Sequence, residues 1–481
     1  MPRYEIPEQE LARVPAEGGF LTVSNLPYGP EASSILNVVF ATKRPDYKIL
    51  GDSGMGTLKA AFNHIGKGKP LGLFPATSED APWEDSIVRL VRLSGMPVIP
   101  VYFHTGEGSE NDEVLHVRVG QAIPVAEIEM YSTKRLGPYL RARTYALEAL
   151  CITYEGPKPP EGAQPLAEPE DINLVMDELT AIEDRILFEI GDYQCFYTPA
   201  TDIPHTMREL ARLREVIYRK EGEGTGLPLD TDEYDPHYNH LILWNKANSQ
   251  ITGAYRIGVG PELLKKGGVD AFYTASLVKY SSRAPEILCQ TLELGRSIVN
   301  IESQKDVLPL KLLLAGLAIT SYKEPGIKYC LGPVSISTAL PDFYKSLIVY
   351  FLRKTASFEG EPLVTPPHPF VTNFLRVDPD ALLGTILDTV DNVDKLDRLV
   401  GVISDGRYRL PVLVRKYFKG QTKLLDFNVD PLFNNSVDGL ALLRLEDWPT
   451  DSIQALIRFM PEERQEAVLT IFRQHEEREK A

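Results

Sequence analysis

Over the first 150 residues, short apolar runs alternate with stretches of helical spacing. Residues 19–24, 71–75 and 97–103 have the length and apolar density of buried strands. Between them, 56–65 and 84–93 repeat apolar residues at helical intervals, with Ile87, Leu90 and Val91 on one face. Strand–helix–strand alternation predicts an α/β layer. Residues 155–171 then break the pattern with five prolines and few apolar side chains, the composition of an extended linker.

Beyond the linker the spacing predicts helices over 172–190 and 204–220, and strands over 240–244, 250–257 and 293–300. A helix over 308–322, a strand over 328–332 and a helix over 341–352 follow, the last with Pro341 at its first turn. Two more strands, 423–428 and 439–444, are joined by an Asn/Asp-rich connection. The pattern divides the chain into an α/β domain over 1–154, the linker over 155–171, a mixed-sheet domain over 172–450 with an insertion near 357–395, and a helical tail over 451–481.

Composition narrows the class. Of 481 residues, 43% are hydrophobic and 25% charged, enough apolar material for more than one core. A formal net charge of −16 argues against nucleic-acid binding, which needs a basic footprint. A carrier protein or an anionic membrane surface would need only a local basic patch, and Lys43, Arg44 and Lys48, or the arginines of 208–220, could supply one. Cys151, Cys195, Cys289 and Cys330 are scattered without paired spacing and read as buried hydrophobes of a reducing compartment. The eight histidines form no H-x-x-H cluster, so no metal site is expected. No apolar run reaches the roughly 18–20 residues of a membrane span. Residues 312–319 come closest and read as part of a core helix. With no signal-peptide apolar region at the N-terminus, the expectation is a cytoplasmic protein, with any membrane contact peripheral, at the inner face of the cytoplasmic membrane.

Four charged motifs follow one another in the second half. They are the arginine-rich helix with Arg208, Arg212 and Arg214, then Asp232-x-x-Asp235, then Arg256 on a strand between Gly253 and Gly258, then Glu293-x-x-Arg296. The ordered set resembles the acyl-homoserine-lactone synthases and the ornithine- and glycine-lipid N-acyltransferases. Residues 427–434, with Val429-Asp430-Pro431 followed by Phe433-Asn434, resemble the closing segment of the lipid enzymes. Both groups are GNAT-fold enzymes that move a fatty acyl group from acyl carrier protein to an amine. The resemblance implies a GNAT mixed-sheet domain with no bound cofactor and an acyl-phosphopantetheine thioester, on acyl carrier protein or coenzyme A, as co-substrate. An amino acid or related amine is the implied acceptor, in aminolipid synthesis.

The same resemblance implies residue roles. Glu293 faces the acceptor amine as base or electrostatic partner, Arg296 holds the local network, and Arg256 lies on the adjacent strand. Asp232 and Asp235 bind the amine substrate, and Arg212 and Arg214 pair with them or contact phosphopantetheine. The thioester lies between two splayed strands, here 250–260 with Gly258 and 328–331, the second broken by Gly332-Pro333 before Ser335. Spacing alone puts Glu293 and Arg296 on opposite faces of a strand unless Gly295 forms a bulge. No Cys or Ser shows a nucleophile elbow, which favours direct attack by the amine.

The first half resembles the glycerolipid O-acyltransferases found fused ahead of N-acyltransferases in bacterial hemolysin-like proteins. The likeness rests on 12–15, 20–25, 43–48, 71–75, 95–103 and 140–147. In that family the His of an Asn-His-Pro is the general base and a following Asp orients its imidazole. Here Leu26 follows Asn25 in place of the His, Ala32 or Glu31 stands in place of the Asp, and Thr77 falls in a second altered motif. Leucine cannot take a proton, so this domain is expected to be without O-acyl transfer. The family's N-terminal helical lead is missing, so tight membrane anchoring is not expected. A non-catalytic lipid- or carrier-binding scaffold is the alternative for the whole chain, and a quorum-signal synthase a third reading.

Overall fold

In a computed structural model, the apolar runs of the first half become the parallel core of a six-stranded sheet. Its strands are β1 (Arg3–Glu5), β2 (Leu21–Ser24), β3 (Lys48–Ile49), β4 (Leu71–Leu73), β5 (Val98–Thr105) and β6 (Val114–Val119), in the order β1-β6-β5-β2-β4-β3. Residues 3–25, 30–51, 56–76, 81–105, 114–152, 162–388, 393–419 and 421–447 are described, with isolated positions in 154–158 and 454–470. The strands joined through helices, β5, β2, β4 and β3, are parallel, and β6 returns antiparallel on β5. Period two then sorts the side chains. Leu21, Val23, Leu71 and Val98 pack with the helices Leu58–Ile65, Asp85–Ser94 and Thr133–Tyr145. Phe20, Ile99, Val101 and Phe103 pack on the other face with the helix Pro30–Leu36 and the π-helical turn Asn37–Ala41.

This unit is Met1–Tyr154 together with Asp342–Phe351 and Thr372–Leu410. The sequence pattern assigns the last two segments to the second domain and its insertion, but they pack here instead. The helix Pro379–Leu387 lies on Thr133–Tyr145, with the Tyr131 hydroxyl 2.9 Å from that of Thr385, and Arg376 pairs with Glu148 at 3.2 Å. Periodicity reports that a helix has a buried face, not which core receives it.

Of the altered motif residues, Ala32 is buried in the helix Pro30–Leu36, while Leu26 and Thr77 lie outside the described residues. Asn25 ties β2 to β5, since its side chain donates to the Phe103 carbonyl at 3.0 Å and accepts from the Phe103 N–H at 2.7 Å. The basic patch expected at 43–48 is depleted by internal pairing. Arg44 is buried and forks onto Asp46 at 3.0 Å, and Lys43 donates to the Leu11 carbonyl at 2.7 Å.

The second unit comprises Glu155–Pro341, Leu352–Val371 and Pro411–Ala481. Its eight-stranded sheet uses β7 (Ile186–Ile190), β8 (Tyr193–Pro199), β9 (Asn239–Asn245) and β10 (Gln250–Val259). A short β11 (Lys279–Tyr280) pairs apart with β14 (Val364–Thr365). The large sheet continues with β12 (Thr291–Val299), β13 (Tyr329–Ile336), β15 (Lys423–Asp430) and β16 (Ser436–Arg444), in the order β15-β16-β13-β12-β10-β9-β8-β7.

The predicted helix over 172–190 is corrected. It ends at Ala181, and Ile186-Leu-Phe-Glu-Ile190, rich in strand-forming residues, forms a hairpin with β8 across Gly191 at φ +57°. The predicted helix over 341–352 runs Asp342–Thr355, with Pro341 at the N-cap position rather than in the first turn. The expected core helix is present: Leu308–Lys323 buries Leu312, Leu313, Leu317 and Ile319 against one face of the sheet. The opposite face carries the helices Ile172–Ala181 and Pro204–Glu221 at one end and the loop segment 268–278 at the other. All four cysteines are free, Cys195 and Cys330 buried as expected, but Cys151 is only half-buried and Cys289 is exposed at the end of a short helix.

Close backbone packing fixes one glycine. A Cβ on Gly260, which begins the helix Gly260–Gly267, would sit 2.0 Å from the Leu288 carbonyl oxygen and 2.6 Å from that of Thr291. Backbone cannot swing aside, so Gly260→Ala is expected to destabilise the second unit by about 3 kcal/mol, the upper range for overpacking. A thermal melt unchanged from wild type would refute this close approach.

Candidate active site

β12 and β13, the one parallel neighbour pair of the large sheet, stay together for three positions, Thr291↔Tyr329, Leu292↔Cys330 and Glu293↔Leu331. Beyond them, β12 remains paired with β10 as far as Val299, and β13 with β16 as far as Ile336. Proline has no N–H to give a ladder, and Pro333 stands just past the split. The facing edges of β12 and β13 therefore carry backbone groups without a strand partner, a V-shaped opening in the middle of the sheet. The sequence reading places one arm of the V on 250–260. That strand is instead hydrogen-bonded on both sides, to β9 and β12, so β12 is the arm.

The bulge is present, one residue beyond Gly295. Between Ala254↔Ile298 and Arg256↔Gly295 the β12 strand has one residue more than β10, and Arg296 takes φ +46°. This extra residue turns Arg296 to the face that holds Glu293. Both side chains meet the Tyr273 region: the Glu293 carboxylate accepts from the Tyr273 N–H at 3.0 Å, and the Arg296 guanidinium lies 4.7 Å from the Tyr273 ring centre.

Three arginines and three aspartates interlock beside it. Arg214, from the helix Pro204–Glu221, pairs with Asp235 at 2.9 Å, and Arg256 of β10 pairs with Asp235 at 3.1 Å and also with Asp232. Arg296 pairs with Asp230 at 2.9 Å and Asp232 at 3.1 Å. Arg214 and Arg256 are fully buried, and Arg256 packs 4.9 Å from the Tyr273 ring centre and 5.1 Å from that of Tyr238. Burial pushes Asp235 upward, but Arg214 and Arg256 outweigh it and hold the carboxyl well below its usual range. His240, buried against Arg214, is pushed down to about 3 by burial and by that charge, so it stays neutral and is no base at physiological pH.

Glu293 is enclosed by donors. One oxygen accepts from the Tyr238 hydroxyl and the Tyr273 N–H, the other from the Thr274 N–H at 2.8 Å and the Thr274 hydroxyl. Burial raises its pKa, and the Thr274 and Tyr238 hydrogen bonds oppose the rise. A carboxylate so saturated can fix the loop that carries Tyr273 and Thr274, but has little acceptor capacity left for an incoming amine.

Among the other residues singled out by sequence, Arg212 pairs with Glu209 on its own helix at 2.5 Å, not with the aspartates. Gly258 serves packing: a Cβ there would meet the Tyr238 ring at 2.4 Å. Ser335 donates to Asp438 at 2.6 Å. A cleft of about 420 Å³, lined partly by Met207, Arg208, Leu229, Asp232 and Asp235, reaches the aspartate pair. Sequence reasoning missed Asp230, Tyr238, Thr274 and Asp438. Asp438 alone left a legible mark, as the acidic residue on the largely apolar closing strand Ser436–Arg444. Among the described residues no group of side chains is arranged to hold a metal ion, and no helix is long and apolar enough to cross a membrane.

The family model for an acetyltransferase (GNAT) domain matches residues 213–313, from Leu213 to Leu313, a span that includes Arg214, the three aspartates, Arg256, Glu293 and Arg296. A glycine N(alpha)-acyltransferase of Bacteroides thetaiotaomicron is 34% identical over 219 residues, 43% of this chain and 64% of that protein. A second, from Phocaeicola vulgatus, is 31% identical over 228 residues, 45% of this chain and 68% of that protein. The chain thus spans just under two thirds of the first relative's length and just over two thirds of the second's. A CoA-dependent acyl-homoserine lactone synthase solved with SAM and isopentyl-CoA overlaps 55% of this chain and 87% of its own, at 11% identity and a TM-score of 0.27, too low to support a conclusion.

Proposed function

We propose that this chain, which belongs to the GNAT acyltransferase family, transfers a fatty acyl group from a thioester to the amine of glycine or another small amino acid. The observation that carries this reading is the opening between β12 and β13 on the sheet face that holds Arg256, Glu293 and Arg296. A thioester laid in the V would meet unpartnered backbone N–H groups that polarise its carbonyl and hold the oxyanion of the tetrahedral intermediate. The charge lattice keeps the bulge and the loop 230–238 in one geometry, so that the acceptor meets the carbonyl without further rearrangement. In this reading Arg256, Glu293 and Arg296, with Arg214, Asp232 and Asp235, are positioning residues. Glycine is the favoured acceptor because both relatives carry its name.

Acyl carrier protein as donor, an aminolipid as product and a peripheral station at the membrane complete the proposal. They rest on the resemblance of the charged motifs and of residues 427–434. The first unit, in the same reading, is a glycerolipid-acyltransferase-like platform without chemistry of its own, since leucine at position 26 supplies no base.

The test is purified protein with acyl carrier thioester or acyl-CoA and a panel of amino acids, followed by thiol release and mass spectrometry of the product. An N-acyl amino acid formed in proportion to thiol released is expected. No thiol release above background with any pair of substrates would remove the acyltransferase reading.

A further inference from the structure

We propose that Asp438 and the serines flanking it form the ammonium pocket for the acceptor amine, and that Asp438 receives the amine's proton before attack. The inference rests on the acyl-transfer reading and adds the base that the saturated Glu293 cannot be. Asp438 lies on β16 opposite Ser335 of β13, beyond the point where β12 leaves β13. Its Oδ1 accepts from the Ser335 hydroxyl at 2.6 Å, and its other oxygen has no hydrogen bond among the described residues. Two positions away on the same strand, and so on the same face, Ser436 is buried at 1% exposure, with a hydroxyl oxygen that has no hydrogen-bond partner. Ser436 stands opposite Asp430 of β15.

The face is the one that bears Glu293. Leu440 and Leu442, next in the alternation, pack in the cluster of Tyr238 and Tyr273. Around the pocket stand Asp430 from β15, half-buried Glu223 from the loop after the helix Pro204–Glu221, Arg296 from the bulge and Tyr273. A buried polar group left unpaired is costly, and three acids facing one cation lack positive charge. An ammonium supplies three donors and one charge, which suits Asp438, the Ser436 oxygen and their acidic neighbours together.

The titration of Asp438 suits a base. Burial pushes it up to about 7; the Ser335 hydrogen bond lowers it, the Asp430 charge raises it and the Arg296 charge lowers it. A carboxylate matched to neutral pH takes a proton from an ammonium far better than an ordinary one near about 4. The ammonium gives one proton to Asp438, and the freed lone pair forms the C–N bond at the thioester carbonyl. The tetrahedral intermediate then expels the thiolate as the C–S bond breaks, the nitrogen's extra proton goes to sulfur, and Asp438 releases its proton to solvent.

The experiment compares wild type, Asp438→Asn and Ser335→Ala as full chains, with glycine and acyl-CoA, in N-acylation across pH 5–9 and in calorimetric binding of glycine alone. Asp438→Asn is expected to lower kcat by roughly 10²–10⁴-fold, to lose the acid limb near pH 7 and to lose glycine binding, with an intact thermal melt. Ser335→Ala is expected to weaken glycine binding and lower turnover less than Asp438→Asn does, and its acid limb moves to higher pH because the charged form of Asp438 has lost a hydrogen bond. A purely structural Asp438 would leave the limb in place. Unchanged turnover and limb in Asp438→Asn, or an unmoved limb in Ser335→Ala, overturns the proposal. Glycine binding that depends on Asp438 without any transfer keeps the pocket and rejects the acyl-transfer reading. No glycine binding by wild type rejects the pocket.

Discussion

Arg256→Met is expected to lower the unfolding free energy by about 3–5 kcal/mol, the range for breaking a buried ion pair from one side. Arg256 is fully buried and bridges Asp232 and Asp235, so its removal leaves three aspartates facing two arginines. Methionine fills the volume, so the loss reports charge rather than a cavity. The pH dependence follows from Asp235. Its carboxyl is held well below the ordinary value by Arg214 and Arg256 against burial, so it contributes stability above the unfolded pKa of about 4, and that contribution is lost as pH falls through the folded value. Without Arg256 the depression shrinks, and the acid-unfolding midpoint should move to higher pH. Urea titrations at pH 7 and pH 4 measure both effects. A midpoint within error of wild type at both pH values would mean that the lattice is solvated and carries no stability. Activity should fall by at least about 10²-fold as well, since displaced loops cost that much through misplacement alone.

The lattice shows how far the sequence could be read. Arg214, Asp232, Asp235, Arg256, Glu293 and Arg296 are spread over more than eighty positions, yet their order along the chain was enough to single them out, and the fold brings them to one face. What spacing could not give was the partner of each. Arg212 and Arg214 are two residues apart on one helix, where only one can point inward; the spacing of Leu210, Leu213 and Ile217 puts Arg214 on the inward face, but does not say that Asp235 receives it. The bulge at Arg296 was open to inference from Glu-x-x-Arg on a strand, because no flat strand puts both residues on one face. Tyr238, Tyr273 and Thr274 carried no signal, since their role is to enclose a carboxylate through hydroxyls and backbone N–H groups that any loop possesses. The strand Ile186–Ile190 was lost for a related reason: it directly continues a helical pattern, and only the pairing with β8 decides its state.

Glu293→Gln separates a positioning carboxylate from a base. Both oxygens of Glu293 accept two hydrogen bonds, and two of the four donors are backbone N–H groups that cannot reverse their role. Whichever oxygen becomes an amide nitrogen, one buried N–H then faces another donor, at a cost of about 1–3 kcal/mol for the unsatisfied group. The loop with Tyr273 and Thr274 loosens, and with it the wall against which Arg256 and Arg296 pack. The expected kinetic result is a fall in kcat/KM of about 10²-fold from misplacement, with the acid limb of the pH profile unmoved because the titrating group is elsewhere. If instead the limb vanishes in Glu293→Gln and persists in Asp438→Asn, Glu293 is the base after all, and the four hydrogen bonds around it must open when substrate binds. The two variants therefore form one experiment. The residue whose amide removes the limb takes the proton, and the residue whose amide lowers stability and rate at every pH holds the loop.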